Sequence, residues 1–600
     1  MNLYGGGVVA KTLKQFGVRH LFSLPGHQTL SVFDGCLDEQ IDLISTRHEA
    51  AAVFMAQGIS FATRQPGVAL LAGGPELTNA LTAIAQAYYA KTPLVIIAGA
   101  NTLQKRDRGF PQDMDQLQVV RPFTKWARSC HDVRRIPEYI AAAYRYAMRG
   151  RPGPTYVEIP YDLMETKVAS GDLNFPALPG QVRACGEQHC LDDMSQLLAQ
   201  ARRPVAIAGS GALWSGAETE LLDFVEKTRV PLFLANAALA MPFPTGAIWG
   251  MGGLGITRPA TKAITEADLV LLLGIRLNFT LGFGQAPFFS QAQKFIQIDI
   301  EAEEMGANRR PDLEILGDLK ATLRVFNSLD LSLLDFSEWR ARLRDEIDRY
   351  QLELDELASS AQIPLHPLRL LTELEAARTD DSLLVLDGAN SILWALMVYK
   401  AKPAGGTIIS TLGELQAIGA GVPQALALKR LFPERQVILH TGDGSLGYGI
   451  MEMETAVRYG IPLVVIVHND CGWGMTRDMQ SEFFGKERQV GNQLGLVRYD
   501  QIVAALGGHG ELVERPEDFT PALRRALEAG KPALINVVVD PRPKSPGLMT
   551  FIMMEVMLGK ETYYDRIPDW VNRLRAVGLD ELAARVMRRV IDHNLHQEIK

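Results

Sequence analysis

The residues best suited to chemistry lie in one segment, TGDGSLGYGIMEMETAVRYGIPLVVIVHNDCGWG. The strand pattern QVILHTGD ends at Asp443 and a helix is expected from about Tyr448. The next strand pattern ends at Asn469 and Asp470, with twenty-four residues between Gly444 and Asn469. Parallel strands deliver their carboxyl ends to one sheet edge, where open α/β sheets bind ligands, so Asp443 and Asp470 are expected to face a single site. Two oxygen ligands beside Gly442, Gly444 and Ser445, where a helix begins, suit a hard divalent cation that clamps a diphosphate. The bland reading is an ordinary turn with two solvated carboxylates; the pair at this spacing favours the ligand site. A second candidate is Glu49 in STRHEAAAVFMAQGIS, between a strand and an apolar helix. Taken alone it is no more than a favourable charge at the positive end of a helix dipole.

The elements that must position these groups follow from short apolar, β-branched runs. GVALLA, PLVIIAG and PTYVEIP are followed by PVAIAG, DLVLLLG and KFIQIDI, then by LLVLD, QVILHTGD, PLVVIVHND and ALINVVVD. Continuous apolar strands separated by helices imply an α/β protein of three doubly wound domains with mainly parallel sheets. The Gly, Pro and polar stretch near 166–190 and the charged helix near 336–366 read as linkers. The expected domains are 1–168, 188–335 and 366–541, followed by a helical tail over 542–600.

Composition narrows the partners. The chain has 600 residues, 47% hydrophobic and 22% charged, with 61 Lys plus Arg against 69 Asp plus Glu and a net charge of −8. No block of like charge suggests nucleic acid or a membrane surface, so the partners are expected to be small molecules. The five cysteines are sparse and odd in number, and no run reaches ~18 apolar residues. A cytoplasmic protein is expected.

The segment around Asp443 resembles the motif of thiamin-diphosphate enzymes, GDG followed by about two dozen residues and Asn-Asn, with Asp470 in place of the second Asn. The resemblance implies thiamin diphosphate and Mg2+ as cofactors, the metal held by Asp443, Asp470 and the backbone oxygen of Gly472. The extra negative charge is expected to cost diphosphate affinity. The Arg-His-Glu segment resembles that of the same enzymes, which implies that Glu49 hydrogen-bonds the aminopyrimidine. Over almost all of residues 1–541 the likeness continues. LFSLPGHQTL places His27 toward the substrate. AGGPELTNALTAIAQAYY is similar to the Gly-Pro-Gly-x-Thr-Asn turn, with Asn79 on the cofactor side and Glu76 standing where the second glycine belongs. FPQDMDQLQVV makes Gln112 an active-site amide, and GELQAIGAGVP puts Ile418 under the cofactor as the apolar wedge. Sites between the subunits of a homodimer or homotetramer are implied as well.

Within the family, LDGANSILWA, with Asn390, and the run from ADLVLLLGIRLNF to KFIQIDI resemble 2-hydroxyacyl-CoA lyases and oxalyl-CoA decarboxylases. Pro111 and Gln112 stand where the decarboxylases have Tyr-Glu, which favours the lyase. The implied reaction cleaves a 2-hydroxyacyl-CoA to formyl-CoA and an aldehyde or ketone, and acyl-CoA is the implied partner. An acetolactate-synthase-like carboligase or an oxalyl-CoA decarboxylase is the alternative. For the middle domain ADP, FAD or no ligand stay open. Gln493 falls where the family has its mobile cover and is a further candidate. The Met-rich start of the tail, with Lys544 and Lys560 at its ends, is expected to be core, a subunit contact or a lid over a thioester.

Overall fold

A computed structural model describes residues 2–598 except 179, 245, 252, 255, 333, 412 and 560–565. Three six-stranded sheets, each wholly parallel, carry the fold. The first runs in space Asp42–Ser45, His20–Ser23, Gly67–Leu71, Leu94–Ala100, Pro154–Pro160, Trp126–Ser129. The third runs Gly406–Ile409, Leu383–Asp387, Val437–Gly442, Val464–Asn469, Ala533–Val538, His509–Val513, which is the same winding. Each reverses direction between its second and third strands. That reversal opens a crevice at the carboxyl edge. The middle sheet reverses between Pro204–Ala208 and Leu269–Leu273.

The named apolar runs all form strands, while partly exposed edge strands such as Leu313–Leu316 and His509–Val513 carry no such run. Leu269–Leu273 and Val464–Asn469 are buried at every position, as a sheet covered by helices on both faces requires. The chain start is tied down by an antiparallel pair of Asn2–Tyr4 with Lys167–Ala169.

Two packing relationships position the site. The Ala-rich helix Glu49–Thr63 lies against helix Gly421–Leu431 of the third domain, close enough that a Cβ on Gly58 would lie 3.1 Å from the Gln424 carbonyl oxygen. Gln57 and Gln424 share a hydrogen bond across that contact at 3.3 Å. In the tail, helix Pro546–Gly559 packs Leu548, Ile552, Met553 and Val556 into one apolar cluster with Val205, Ile207 and Phe288 of the middle domain. Its residues are core over the outer face of the middle sheet. This helix is held by burial along its length. Lys544 pairs with Glu482, while Lys560 lies outside the described residues.

Candidate active site

The strand Val437–Gly442 delivers Asp443 to the carboxyl edge, and the helix begins at Asp443 itself, five residues before the expected start. The neighbouring strand ends at Asn469, so Asp470 emerges beside it. Both aspartates line one cleft with Asn390, Ile418, Gly442, Gly444, Ser445, His468 and Gly472. The Asp443 carboxyl is pushed up to about 7 by burial and then by the nearby Asp470 charge; the Asp470 carboxyl is raised chiefly by burial. Two carboxylates that oppose each other's ionisation in a buried place are what a divalent cation relieves. Among the described residues no group of three or more His, Cys, Asp or Glu side chains could hold a metal, so a cation here must complete its shell with backbone oxygens and a ligand.

Gly472 donates its N–H to Asp443 Oδ2 at 2.9 Å, which fixes the distance between the two halves of the motif. Glycines are needed where they stand: a Cβ on Gly444 would lie 2.6 Å from the Trp473 ring. Asp470 is not left as a surplus charge. Arg477, one turn into helix Gly474–Phe484, binds Asp470 Oδ2 through Nη2 at 2.7 Å and the Asp470 carbonyl through Nη1 at 3.2 Å. That arginine had no motif to announce it. His468 also lines the cleft; burial, and then the neighbouring His440, push its imidazole far below the usual range, so the ring there is neutral.

Ile418 is half-buried at the cleft rim. Its loop is pinned by Asp387, wholly buried at the end of strand Leu383–Asp387, whose Oδ2 accepts from Gly419 N–H at 3.1 Å and Gly421 N–H at 3.0 Å. Gly419 adopts φ +93°, a conformation a side chain would strain. Asn390 opens the helix after Asp387 and accepts from Ser545 Oγ at 3.1 Å.

Glu49 begins its helix at 7% exposure and accepts from Asn79 Nδ2 at 3.0 Å. The backbone N–H groups of Arg47 and His48 donate to Glu452 Oε1, which anchors the turn to the third domain. Within one chain Glu49 is not among the residues lining the Asp443 cleft. His27 is exposed, its ring edge-on to Tyr161 at 5.7 Å. Gln112 is exposed in a left-handed turn and accepts from Gln28 Nε2 at 3.3 Å. The buried amide in that region is Gln116, which accepts from Gly74 N–H and donates to Glu158. Gln493 is exposed, outside the residues lining the cleft; its amide turns to Asn492 Oδ1, while its backbone bridges Gly472. The Gln493 side chain is thus turned away from the Asp443 cleft of its own chain, and its loop meets that cleft through its backbone.

Family models confirm the cofactor halves. Those described as the N-terminal, central and C-terminal domains of thiamine pyrophosphate enzymes match residues 4–119, 191–326 and 387–537. The chain belongs to the thiamin-diphosphate enzyme family. Similar family members include a probable acetolactate synthase of Mycobacterium bovis, 34% identical over 91% of this chain and 97% of that protein. They also include 2-hydroxyacyl-CoA lyase 1 of Mus musculus, 29% identical over 90% and 94%, and the 2-hydroxyacyl-CoA lyase of Arabidopsis thaliana, 29% identical over 90% and 96%. Thiamin diphosphate is accordingly the cofactor of this thiamin-diphosphate enzyme. The donor set fits it: buried oxygen ligands, a neutral imidazole and a glycine cradle at one sheet edge. Among the described residues no helix is long and apolar enough to cross a membrane.

Proposed function

We propose that this enzyme is a 2-hydroxyacyl-CoA lyase, cleaving a 2-hydroxyacyl-CoA to formyl-CoA and an aldehyde or ketone. The observation that carries the reading is an apolar slot on the far side of Ile418. It opens from the diphosphate cleft through Gly388, Ala389, Ile418 and Met475, and it is walled by Met251, Leu254, Phe279, Ile392, Phe551 and Met554. No charged residue is among the described residues lining it. The carboxylate of a free 2-oxo acid would be buried there without a cation, at a cost of several kcal/mol or more. A thioester and an alkyl chain bring no such charge. Beyond the slot, past Phe279 and Phe551, a second cavity carries Lys91, Arg151 and Arg276, with Arg276 paired to Glu304 and Glu414. Lys91 is pushed down to about 8 by burial and then by the two arginines, while Asp299, Glu304, Glu414 and Glu555 line the same cavity beside its three cations.

When bound, thiamin diphosphate supplies a nucleophilic thiazolium carbon that adds to a carbonyl and takes up the electrons of the bond that breaks. In this reading Asp443 and Asp470 would hold Mg2+ for the diphosphate, Ile418 would pack beneath the cofactor, and Glu49 would be the hydrogen-bond partner of the aminopyrimidine. His27, beside the crevice of the first sheet, is the imidazole available to move a proton at the substrate hydroxyl. Because Glu49 lies outside the Asp443 cleft of its own chain, the reading includes a homodimer or a larger assembly in which two chains complete each site. Five unpaired cysteines support a cytoplasmic setting. The relatives named acetolactate synthase keep a second reading in view, condensation of 2-oxo acids. Incubation with a 2-hydroxyacyl-CoA, thiamin diphosphate and Mg2+ should yield formyl-CoA. Acetolactate from pyruvate, without formyl-CoA from the thioester, would replace the first reading by the second.

A further inference from the structure

Trp249 enters the middle sheet at its amino edge, the end opposite to the one where parallel strands bind ligands. Its N–H donates to the Leu232 carbonyl at 2.9 Å as the chain turns into the edge strand Gly250–Met251. Helix Ser337–Ala358 is fastened to the same edge by Trp339, whose Nε1 donates to the Pro204 carbonyl at 3.2 Å. Pro204 and Leu232 each begin a strand there. Arg340 follows Trp339, and Arg344 lies one turn further on the same helix face. Both reach the Trp249 indole, with guanidinium carbons 5.7 Å and 4.4 Å from its ring centre. Arg229, which ends helix Glu218–Thr228 at φ +60° shortly before Leu232, is the third cation, and its charge acts on Arg340.

These three charges meet without relief. Among the described residues none of the three guanidinium groups has an ion-pair or hydrogen-bond partner, and Arg340 Nε is buried in that state. The acids of the same helix are spent elsewhere: Glu346 on Arg258, Lys262 and Arg349, and Glu353 on Arg258. Asp348, one turn beyond Arg344, forms no ion pair with it among the described residues. Burial, and then Arg229 and Arg344, push the Arg340 guanidinium below its ordinary value, and no carboxylate is among the groups acting on it. It keeps its charge throughout the physiological range. In a chain with 69 Asp plus Glu against 61 Lys plus Arg, such a cluster is a local exception, and its self-repulsion costs stability until an anion enters.

We propose that Arg229, Arg340 and Arg344 form a binding site for the phosphate group of a small molecule, separate from the diphosphate cleft. A phosphate brings nearly two negative charges and three acceptor oxygens to three guanidinium forks, whereas a single carboxylate would leave most of the positive charge unmatched. The indole attracts the two helix arginines by its face and takes no hydrogen bond from them, so their N–H groups stay available to the anion. Met251, two residues after Trp249, walls the apolar slot, so a ligand at Trp249 bears on the short strand that carries a slot residue. Arginines that merely covered the indole would gain nothing from phosphate.

The test uses the full-length chain with thiamin diphosphate and Mg2+ bound, so that the diphosphate cleft is already filled. Inorganic phosphate is titrated by calorimetry at constant ionic strength, with chloride as the balancing anion. The wild type should bind saturably with a Kd of about 1 mM or tighter, and Arg340→Met or Arg344→Gln should each weaken binding by about tenfold. Phosphate should change the tryptophan fluorescence of the wild type, and Trp249→Phe should lose that change while it keeps the calorimetric signal. Phosphate should also raise the Tm of the wild type and leave that of the double variant Arg229→Gln, Arg344→Gln unmoved. Both side chains of that pair are exposed, so the double variant keeps its core and serves even where Arg340→Met does not fold. Phenyl phosphate run beside inorganic phosphate separates the sources: tighter binding of the ester assigns the site to a phosphomonoester, and tighter binding of the free ion assigns it to phosphate itself. Equal phosphate binding by the wild type and the double variant would overturn the proposal, as would uptake that never saturates.

Discussion

Arg477 holds Asp470 by two contacts, one to the carboxylate and one to the carbonyl of the same residue, and is itself buried to 7% exposure. The aspartate that replaces a neutral asparagine of the family motif thus arrives with its own cation. Removing the arginine alone should leave a buried carboxylate that takes up a proton. Arg477→Met is expected to weaken Mg2+ and thiamin diphosphate binding by about 10- to 100-fold, the equivalent of about 1.4–3 kcal/mol. Asp470→Asn placed on top of it should restore most of that loss. A calorimetric double-mutant cycle reads the coupling, and additive effects would separate Arg477 from the site.

Glu49→Gln should bind thiamin diphosphate with near-normal affinity and lose most turnover, because an amide cannot share the required proton. Asp443→Ala should instead lose cofactor retention, since it removes one of two oxygen ligands and the acceptor of Gly472 N–H. Calorimetry beside an activity assay separates the two outcomes.

Asp42 ties the first domain to the third. Its carboxylate receives Arg430 Nε at 2.7 Å and Nη2 at 2.9 Å, and His20 Nδ1 at 2.9 Å. Burial pushes this carboxyl up, but the hydrogen bonds from His20 and Arg430 outweigh it and hold the group well below the ordinary carboxylate range. A depressed folded-state value gives stability that is present above the unfolded-state value and lost as the pH falls toward the folded one. Asp42→Asn should therefore cost about 1 kcal/mol at pH 7, a figure discounted for a partly exposed pair, and progressively less below about pH 4. Thermal melts at pH 7 and pH 3.5 provide the comparison.

Truncation after Asp540 should not yield a folded enzyme with a selective defect toward thioesters. It strips Leu548, Ile552, Met553 and Val556, each at most 1% exposed, from the middle domain. Leu548→Ala alone is expected to cost about 2–5 kcal/mol, measured by denaturant unfolding.

Activity should fall on dilution as subunits separate, and the loss should track mass measured by light scattering. Constant specific activity down to a population of monomers would contradict sites shared between chains.

The strands were legible because parallel strands covered on both faces need unbroken apolar runs, and those runs stand out between polar helices. Asp443 and Asp470 were legible because strand ends and their spacing are written in order along the chain. Arg477 was not, since its meaning depends on one helical turn bringing it back over Asp470. Gln112 and Gln493 were placed by neighbourhood in the sequence, and local backbone turned both amides outward while Gln116 and Asn492 took the buried positions. The tail helix could not be assigned from pattern, because a segment apolar on every side declares that it will be buried without saying against what. Asp387 had a readable signal, a carboxylate ending a strand as Asp443 does, and its partners are backbone N–H groups that no pattern marks.

Phe551 belongs to the tail helix, packs edge-on against Phe279 at 4.9 Å, and walls the slot beside Ile418. One side of the proposed slot is therefore made by a helix that follows all three sheets in the chain. A nascent polypeptide can thus complete each sheet while the slot is still open on that side. Loss of this helix therefore removes a wall of the slot and part of the middle-domain core at one stroke, so the slot and the stability of the fold share one element.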